Sequence, residues 1–291
     1  MLYLVLSIAC STAIVLLFSW FAKQQLDTFQ TIVANYLVCV SCAAITKGGN
    51  SLPTEFWNEP WFGYALFLGV IFISSFNIVA LTVKHFSVTV ATIMQKMSIL
   101  ASVIFALWAY HESINFYKIV GLLFAFLSIL LVNLTKDGKL FDRNVKSWYL
   151  MLLPIATWVA SSIIEIIFLK LEKETGQSSD LGFISLLFGT AGCIGLIVLA
   201  VGVISKRIKL HAKSLLSGIY LGIPNFGSIY FLLKALGIGW EGSVVFPINN
   251  VAIIAFSSIL AVIIFSEALT KLNWVGVGLA ILAIVMMALS I

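Results

Sequence analysis

The chain has 291 residues, of which 61% are hydrophobic and 10% charged, and its net charge is +5. A water-soluble domain of this length needs more polar surface, so the composition excludes a soluble protein and predicts an integral membrane protein. The basic residues gather in a few loops. In a membrane protein this distribution indicates the orientation of the chain, and no nucleic-acid partner is expected.

Apolar runs of roughly twenty residues can each cross a hydrocarbon core of about 30 Å as a helix. Ten such runs cover residues 2–21, 29–46, 62–82, 88–110, 114–133, 148–169, 181–204, 212–233, 242–266 and 272–290. They are continuous, without the alternating polar positions of a barrel strand, and therefore predict helices. The predicted fold class is an all-α integral membrane protein with ten transmembrane helices.

The chain repeats itself at an offset of 155 residues, where residues 80–129 superpose on residues 235–284 without a gap. Glu112 falls on Glu267 and Gly121 on Gly276, and these rarer residues carry more weight than the apolar identities. Internal symmetry in a membrane protein is typical of a transporter.

A polar linker at residues 135–147 divides the chain into a first five-helix repeat, 1–134, and a second, 148–291. Because five is odd, the second repeat begins on the opposite side of the membrane, so the two repeats are predicted to be inverted. Loops after odd-numbered helices hold eleven basic residues against five after even-numbered helices. This imbalance predicts cytoplasmic odd loops and both termini outside an inner membrane.

Two ionisable residues lie inside the apolar spans, where their cost makes them the first functional candidates. Lys96 lies near the centre of the fourth span and Glu165 past the centre of the sixth. A rise of about 1.5 Å per residue separates their depths by roughly 15 Å. That gap favours two separate charges on one polar path over a buried salt bridge, and snorkelling of Lys96 is the other alternative.

Polar side chains at similar depths extend the predicted pathway. Its further members are Gln95, Asn249, Asn250, Asn225, Asn77 and Trp158. The repeat maps Gln95 onto Asn250, which inversion places at related depths on either side of the midplane. Hydrogen bonds that only join helices are the competing explanation. Trp158 either packs against a neighbouring helix or faces a cavity, because its indole N–H needs a partner that lipid does not offer.

The repeated pair Glu112 and Glu267 ends the fourth and ninth spans, where solvent hydrates a carboxylate. We expect them, with Gly121 and Gly276, to be structural turn residues, the carboxylates accepting hydrogen bonds from the free N–H groups of the next helix. A gating role for either Glu is the lesser alternative. The chain shows no metal-ligand spacing, phosphate loop or catalytic constellation, so we expect no metal, no cofactor and no enzyme activity.

The segment from Ala80 through Glu112 and Gly121 to Asn133, with its counterpart from Ala235 onward, resembles the ten-helix EamA-like family of the drug/metabolite transporter superfamily. The resemblance implies a secondary transporter, often an exporter of amino acids or other small metabolites, with a central cavity. It also implies cytoplasmic termini, against the loop charges.

One buried cation and one anion predict a small polar or zwitterionic substrate, moved by alternating access between the repeats. Glu165 could also exchange a proton and so couple transport to the proton gradient. A multidrug or organic cation exporter, a passive channel, a membrane enzyme and a nontransporting scaffold are the alternatives. The expected partners are the substrate, membrane lipid and protons, with the chain a monomer or homodimer.

Overall fold

The computed structural model describes residues 1–86, 88–134, 148–266 and 268–290, and their regular structure is helical throughout. The helices are α1 (Leu2–Lys23), α2 (Thr28–Lys47), α3 (Phe62–His85), α4 (Val88–Lys96), α5 (Ser98–Tyr110), α6 (Phe116–Val132), α7 (Leu152–Thr175), α8 (Leu181–Ile204), α9 (Ala212–Gly237), α10 (Gly242–Phe265) and α11 (Lys271–Ala288). In these residues nine spans are long and apolar enough to cross a membrane, α4 and α5 together forming one, and α6 is a shorter apolar helix. The predicted all-α membrane fold is confirmed.

Two spans differ most from the prediction. The fourth is interrupted at Met97, which separates α4 from α5. The sixth begins at Leu152 and runs to Thr175, beyond the predicted end at residue 169. Helical hydrogen bonding continues there because charged side chains do not end a helix, and Lys170 and Glu174 form an i,i+4 ion pair at 3.7 Å that supports it. The predicted linker at 135–147 and Glu267 lie outside the described residues.

One compact unit comprises Met1–Ile73 and Lys170–Gly237. Its α2 and α9 pack closely because α9 presents Gly218 and Gly222 at a small-xxx-small spacing. A Cβ added to Gly222 would lie 2.5 Å from the Cβ of Val38, and one added to Gly218 would lie 2.4 Å from the Cβ of Ala34. Both positions therefore require glycine for the helices to approach.

Replacing Gly222 by Ala is expected to destabilise this unit by about 1–3 kcal/mol, the usual cost of overpacking a well-packed contact. The added methyl group must push α2 away from α9, because the Val38 Cβ already occupies its place. Thermal unfolding of the purified protein in detergent measures the effect. Gly278→Ala in α11 is the matched control, since a Cβ there meets nothing within 4 Å. Equal melting temperatures for the two variants would contradict the prediction.

The other compact unit comprises Ser74–Leu169 and Ile238–Ile291. Its core is a cluster of buried aliphatic side chains from α4, α5, α6, α10 and α11, among them Val103, Ile129, Val251 and Ala280. These side chains come from both halves of the sequence. The unit is therefore built from the two repeats together.

The ends of α5 and α10 in this unit match residue for residue at the offset of 155. α5 ends at Tyr110 and α10 at Phe265, and the next residues, His111 and Ser266, are both left-handed with φ of 49° and 55°. Their N–H groups donate to the carbonyls of Ala106 and Ala261, which are again 155 residues apart. The repeat seen in the sequence thus has the same local geometry at these two helix ends.

The repeated glycines lie inside helices, so their prediction as turn residues is wrong. A Cβ on Gly121 in α6 would lie 3.0 Å from Met287, and one on Gly276 in α11 would lie 2.7 Å from Val132. Met287 is the counterpart of Val132 at the same offset, so the two contacts are reciprocal across an antiparallel pair of helices. Glycine is needed here because the α6 and α11 backbones approach closely, not because a turn demands it.

Candidate substrate site

Three polar side chains from three helices meet inside this second unit. The Lys96 ammonium at the end of α4 donates to Asn250 Oδ1 at 2.9 Å. Asn250 Nδ2, on α10, donates to Glu165 Oε1 on α7 at 2.7 Å. The buried amide therefore joins the two intramembrane charges that the sequence singled out.

The orientation of the Asn250 amide follows from the charges on either side. A carboxamide offers an acceptor oxygen at one end and two donor hydrogens at the other. The oxygen must face the ammonium, which only donates, and the nitrogen must face the carboxylate, which only accepts when ionised. The reverse orientation would place donor against donor at the ammonium and acceptor against acceptor at the carboxylate. An aspartate or a leucine at this position lacks one or both of these groups and cannot join the two charges.

The two oxygens of the Glu165 carboxylate differ: Oε1 accepts two hydrogen bonds and Oε2 accepts none from the described residues. Ser98, at the start of α5, donates to Oε1 at 2.9 Å, in addition to Asn250. Oε2 is buried and accepts no hydrogen bond from the described part of the chain. The Ser102 hydroxyl, one turn further along, donates to the Ile99 carbonyl. A buried carboxylate oxygen without a donor is costly, so it indicates a place for a ligand or a proton.

The predicted separation of Lys96 and Glu165 in depth is wrong. Because α7 extends to Thr175, its midpoint falls between residues 163 and 164, which places Glu165 about 2 Å from the midpoint and not about 10 Å. The Asn250 side chain spans the remaining distance between the two charges. The alternative of a salt bridge is therefore partly right, since the charges are linked, but through an amide.

The interruption at Met97 is adjacent to this network. The Trp158 indole N–H on α7 donates to the Met97 carbonyl at 3.1 Å, which satisfies a backbone group at the break. Met97 and Trp158 also line an apolar cavity of about 350 Å³, whose other walls are Val90, Ile93, Met94, Leu100 and Leu130. Both expectations for Trp158 hold, because the ring contacts a neighbouring helix and faces a cavity.

The other predicted pathway residues lie on α3, α4, α9 and α10. Asn249 is buried on α10, Gln95 is half-buried on α4, and Asn77 is exposed on α3. Asn225 belongs to the first unit, where its amide donates to Asn35 Oδ1 at 3.1 Å. For Asn225 the structure provides the competing explanation, a hydrogen bond that joins two helices.

Sequence reasoning missed Ser98 and the break at Met97. A serine in an apolar span is common and usually bonds within its own helix, so its spacing carries no signal. The break contains neither proline nor glycine, the usual sequence marks of an interrupted helix. In the sequence, Lys96 and Ser98 flank Met97, and this proximity of a charged and a hydroxyl side chain is the available signal for both features.

Glu112 acts at a helix N-terminus, as predicted, but at a different helix. Its two carboxylate oxygens accept from the N–H groups of Gly242 and Ser243, each at 2.9 Å. These are the first residues of α10, whereas the next helix in the chain is α6. A carboxylate satisfies free N–H groups and favours the positive end of the helix dipole. Glu112 therefore ties the first repeat to the helix that carries Asn250.

Replacing Glu112 by Ala is expected to lower the free energy of unfolding by about 1–3 kcal/mol, because two buried N–H groups lose their acceptor. The position is 8% exposed, so water replaces the carboxylate poorly. Thermal unfolding in detergent measures the change. Glu55→Ala, at an exposed position in the loop before α3, is the control. An unchanged melting temperature for Glu112→Ala would refute a stabilising role.

Comparison with known proteins agrees with this fold. Residues 1–134 match the EamA-like transporter family. The chain is 28% identical over 289 residues to an uncharacterized protein of Haemophilus influenzae, covering 97% of this chain and 95% of that protein. A crystal structure of a protein shares its fold with a TM-score of 0.75 at 13% identity, covering 99% of this chain and 96% of that one.

The similarity to the EamA-like transporter family covers the first 134 of the 291 residues. The resemblance inferred from the sequence is confirmed over these residues, and the apolar helices of the described residues indicate a multi-pass membrane protein. The matched family is one of transporters.

Proposed function

We propose that this protein is a secondary transporter that exports a small zwitterionic, amino acid-like metabolite across the inner membrane by alternating access between inverted repeats. The observation that carries the proposal is the Lys96–Asn250–Glu165 network within the membrane-spanning helices. Intramembrane charges are costly, and a pair of opposite sign held apart by an amide suits a ligand with a charge of each sign.

The unused bonding capacity of the network supports this substrate class. A lysine ammonium has three N–H donors, and Lys96 uses one of them on Asn250 within the described residues. The remaining donors suit a substrate carboxylate. Glu165 Oε2 is buried, accepts no hydrogen bond from the described residues, and suits a substrate ammonium group. A zwitterion would therefore satisfy both charges without adding net charge to the site.

The same carboxylate supports proton coupling. When no ammonium group faces Glu165 Oε2, a proton is the simplest partner that removes its buried charge. Competition of substrate and proton for one carboxylate couples their opposite movements. Export then draws on the inward proton gradient.

A flux screen in proteoliposomes tests the proposal. Purified protein is reconstituted and offered radiolabelled amino acids, other small metabolites and organic cations, with and without a pH gradient. We expect saturable transport of a zwitterion, accelerated by the same compound on the other side of the membrane. Transport of none of these compounds, or flux without counterflow, would reject the proposal, and the second outcome would identify a passive channel.

Export of lipophilic organic cations is the second candidate. The apolar cavity beside Met97 and Trp158 favours it, because an aromatic face and thioether side chains suit a bulky cation. Glu165 would then bind the cation and Lys96 would have no ligand. The screen separates the two candidates, since a quaternary ammonium compound lacks the carboxylate that Lys96 requires.

A further inference from the structure

A second charge pair, formed by a buried lysine and a partly exposed glutamate, lies where α10 begins. Lys118 on α6 is 1% exposed, and its ammonium forms an ion pair with Glu241, the residue that precedes α10. The ammonium also donates to the Ser113 carbonyl at 2.6 Å and to the Ser243 hydroxyl at 3.0 Å. This lysine, unlike a surface lysine, is fixed by its contacts.

The loop between α5 and α6 forms the other half of the cluster. The Ser113 N–H donates to Glu241 Oε1 at 3.0 Å, and the Ser113 hydroxyl donates to Oε2 at 3.1 Å. The neighbouring Glu112 accepts from the first two N–H groups of α10. We call the set Glu112, Ser113, Lys118, Glu241 and Ser243 the α10 latch. It joins the first repeat to the second at one end of α10.

The Glu241 carboxylate remains charged at neutral pH. Burial raises its pKa, but the hydrogen bonds from Lys118 and Ser113 outweigh burial and hold the pKa below the usual value for glutamate. A depressed pKa means that the stabilisation is present above the ordinary glutamate pKa and is lost as the pH falls through the lowered one. The α10 latch is therefore closed over the physiological range unless another force opens it.

The internal repeat does not reproduce this cluster. At the offset of 155, Lys118 corresponds to Asn273, Glu241 to Phe86, and Ser243 to Val88. Asn273 instead donates to the α6 carbonyls of Leu131 at 2.9 Å and Val132 at 2.8 Å. These counterpart positions cannot form an ion pair. The ion pair of Lys118 and Glu241 therefore occurs at one of the two related positions. At the other position a neutral amide, Asn273, takes the place of the lysine.

α10 carries both the latch and the substrate network, with a proline between them. Asn250 lies eight residues beyond Gly242, or about 12 Å along the helix. Pro247 lies inside α10 and has no N–H, so the carbonyl of Ser243 loses its helical hydrogen bond there. A helix lacking that bond bends more easily at this point. A bend at this point would let the first turns of α10 move relative to the segment that carries Asn250.

We propose that the α10 latch is an ionic gate, which holds the first turns of α10 against the α5–α6 loop and must open for the Lys96–Asn250–Glu165 network to be reached from that end. The inference rests on the proposed transport function. It assigns Lys118 and Glu241 a role in gating that does not depend on direct contact with the network.

A disulfide at the latch tests the gate. The Lys118 ammonium lies 3.4 Å from the Ser113 hydroxyl and 3.0 Å from that of Ser243, so Ser113→Cys with Ser243→Cys places two thiols around the same ammonium. Oxidation with copper phenanthroline is expected to lower flux about tenfold or more, with recovery in dithiothreitol. Flux at the parental rate, with the disulfide verified by mass spectrometry, would overturn the gate.

The first unit offers a matched control pair. The hydroxyls of Ser51 and Ser185 are 2.7 Å apart, so Ser51→Cys with Ser185→Cys forms an equivalent crosslink away from α10. Its oxidation is expected to leave flux unchanged. The four native cysteines, Cys10, Cys39, Cys42 and Cys193, are free and are present in the parent, which receives the same oxidant. Equal losses in both crosslinked pairs would overturn a specific role for the latch.

Hydrogen exchange tests the latch without any transported compound. Glu241→Gln is expected to accelerate amide exchange over residues 242–246 about tenfold, because charged hydrogen bonds that hold this segment are lost. Lys170→Met, which breaks the surface pair with Glu174, is expected to leave that segment unchanged. Unchanged exchange in Glu241→Gln overturns the latch. If the parent transports nothing, the proposed function fails, and the exchange result still decides whether the latch holds α10.

Discussion

Replacing Glu165 by Gln is expected to abolish proton-driven accumulation of the substrate and to remove the pH dependence of its flux. Glutamine keeps the size of the side chain and an oxygen that accepts from Asn250 and Ser98, so the local packing is retained. It cannot take up a proton near neutral pH. The variant therefore removes the coupling group while it preserves the shape of the site.

Proteoliposomes with an imposed pH gradient measure this effect. Accumulation above equilibrium is expected to disappear in Glu165→Gln, while exchange of substrate for substrate persists at a reduced rate. Glu174→Gln is the control on the same helix, because Glu174 is exposed and forms a surface pair with Lys170. Normal accumulation with an unchanged pH profile in Glu165→Gln would remove Glu165 from the coupling mechanism.

Replacing Lys96 by Met is expected to raise the substrate KM by about 10–150-fold, since a charged hydrogen bond to a carboxylate contributes about 1.5–3 kcal/mol. Methionine retains a flexible side chain of similar length, so the loss reports on the ammonium. The maximal rate is expected to change less than KM. Lys84→Met, at an exposed position on α3, is the control. An unchanged KM would show that Lys96 does not bind the substrate.

The stability of the same variant provides an independent check on the network. Removing Lys96 leaves the Glu165 carboxylate without its cation, and breaking a buried pair in this way typically costs about 3–5 kcal/mol. The double variant Lys96→Met with Glu165→Gln removes both charges. It is expected to unfold at a higher temperature than Lys96→Met alone, because no uncompensated charge remains. Additive losses would contradict coupling through Asn250.

The ten apolar spans and the repeat were predictable because each depends on local composition. A run of about twenty apolar residues has few alternatives to a membrane helix. The helix ends at His111 and Ser266, 155 residues apart, have the same left-handed cap geometry. The polar residues inside the spans were predictable for a similar reason, since Lys96 and Glu165 are costly wherever the helices lie.

The relation between those residues was not predictable. The depth of Glu165 depended on where α7 ends, and hydrophobicity marks the end of the apolar run but not the end of the helix. Asn225 and Asn250 look alike in the sequence, yet one joins two helices of the first unit and the other joins the two charges. Amides inside a membrane serve either purpose, and only their neighbours distinguish them.

The amino-acid sequence was sufficient for the membrane fold, the resemblance to the EamA-like family and the identity of the two buried charges. Tertiary packing decided that Asn250 links those charges, that Glu112 binds the N-terminus of α10, and that Gly121 and Gly276 face each other's helices. Helix formation depends on residues a few positions apart, whereas the network depends on three helices whose mutual depth and rotation arise from packing. For that reason the candidate charges were visible in the sequence and the site they form was not.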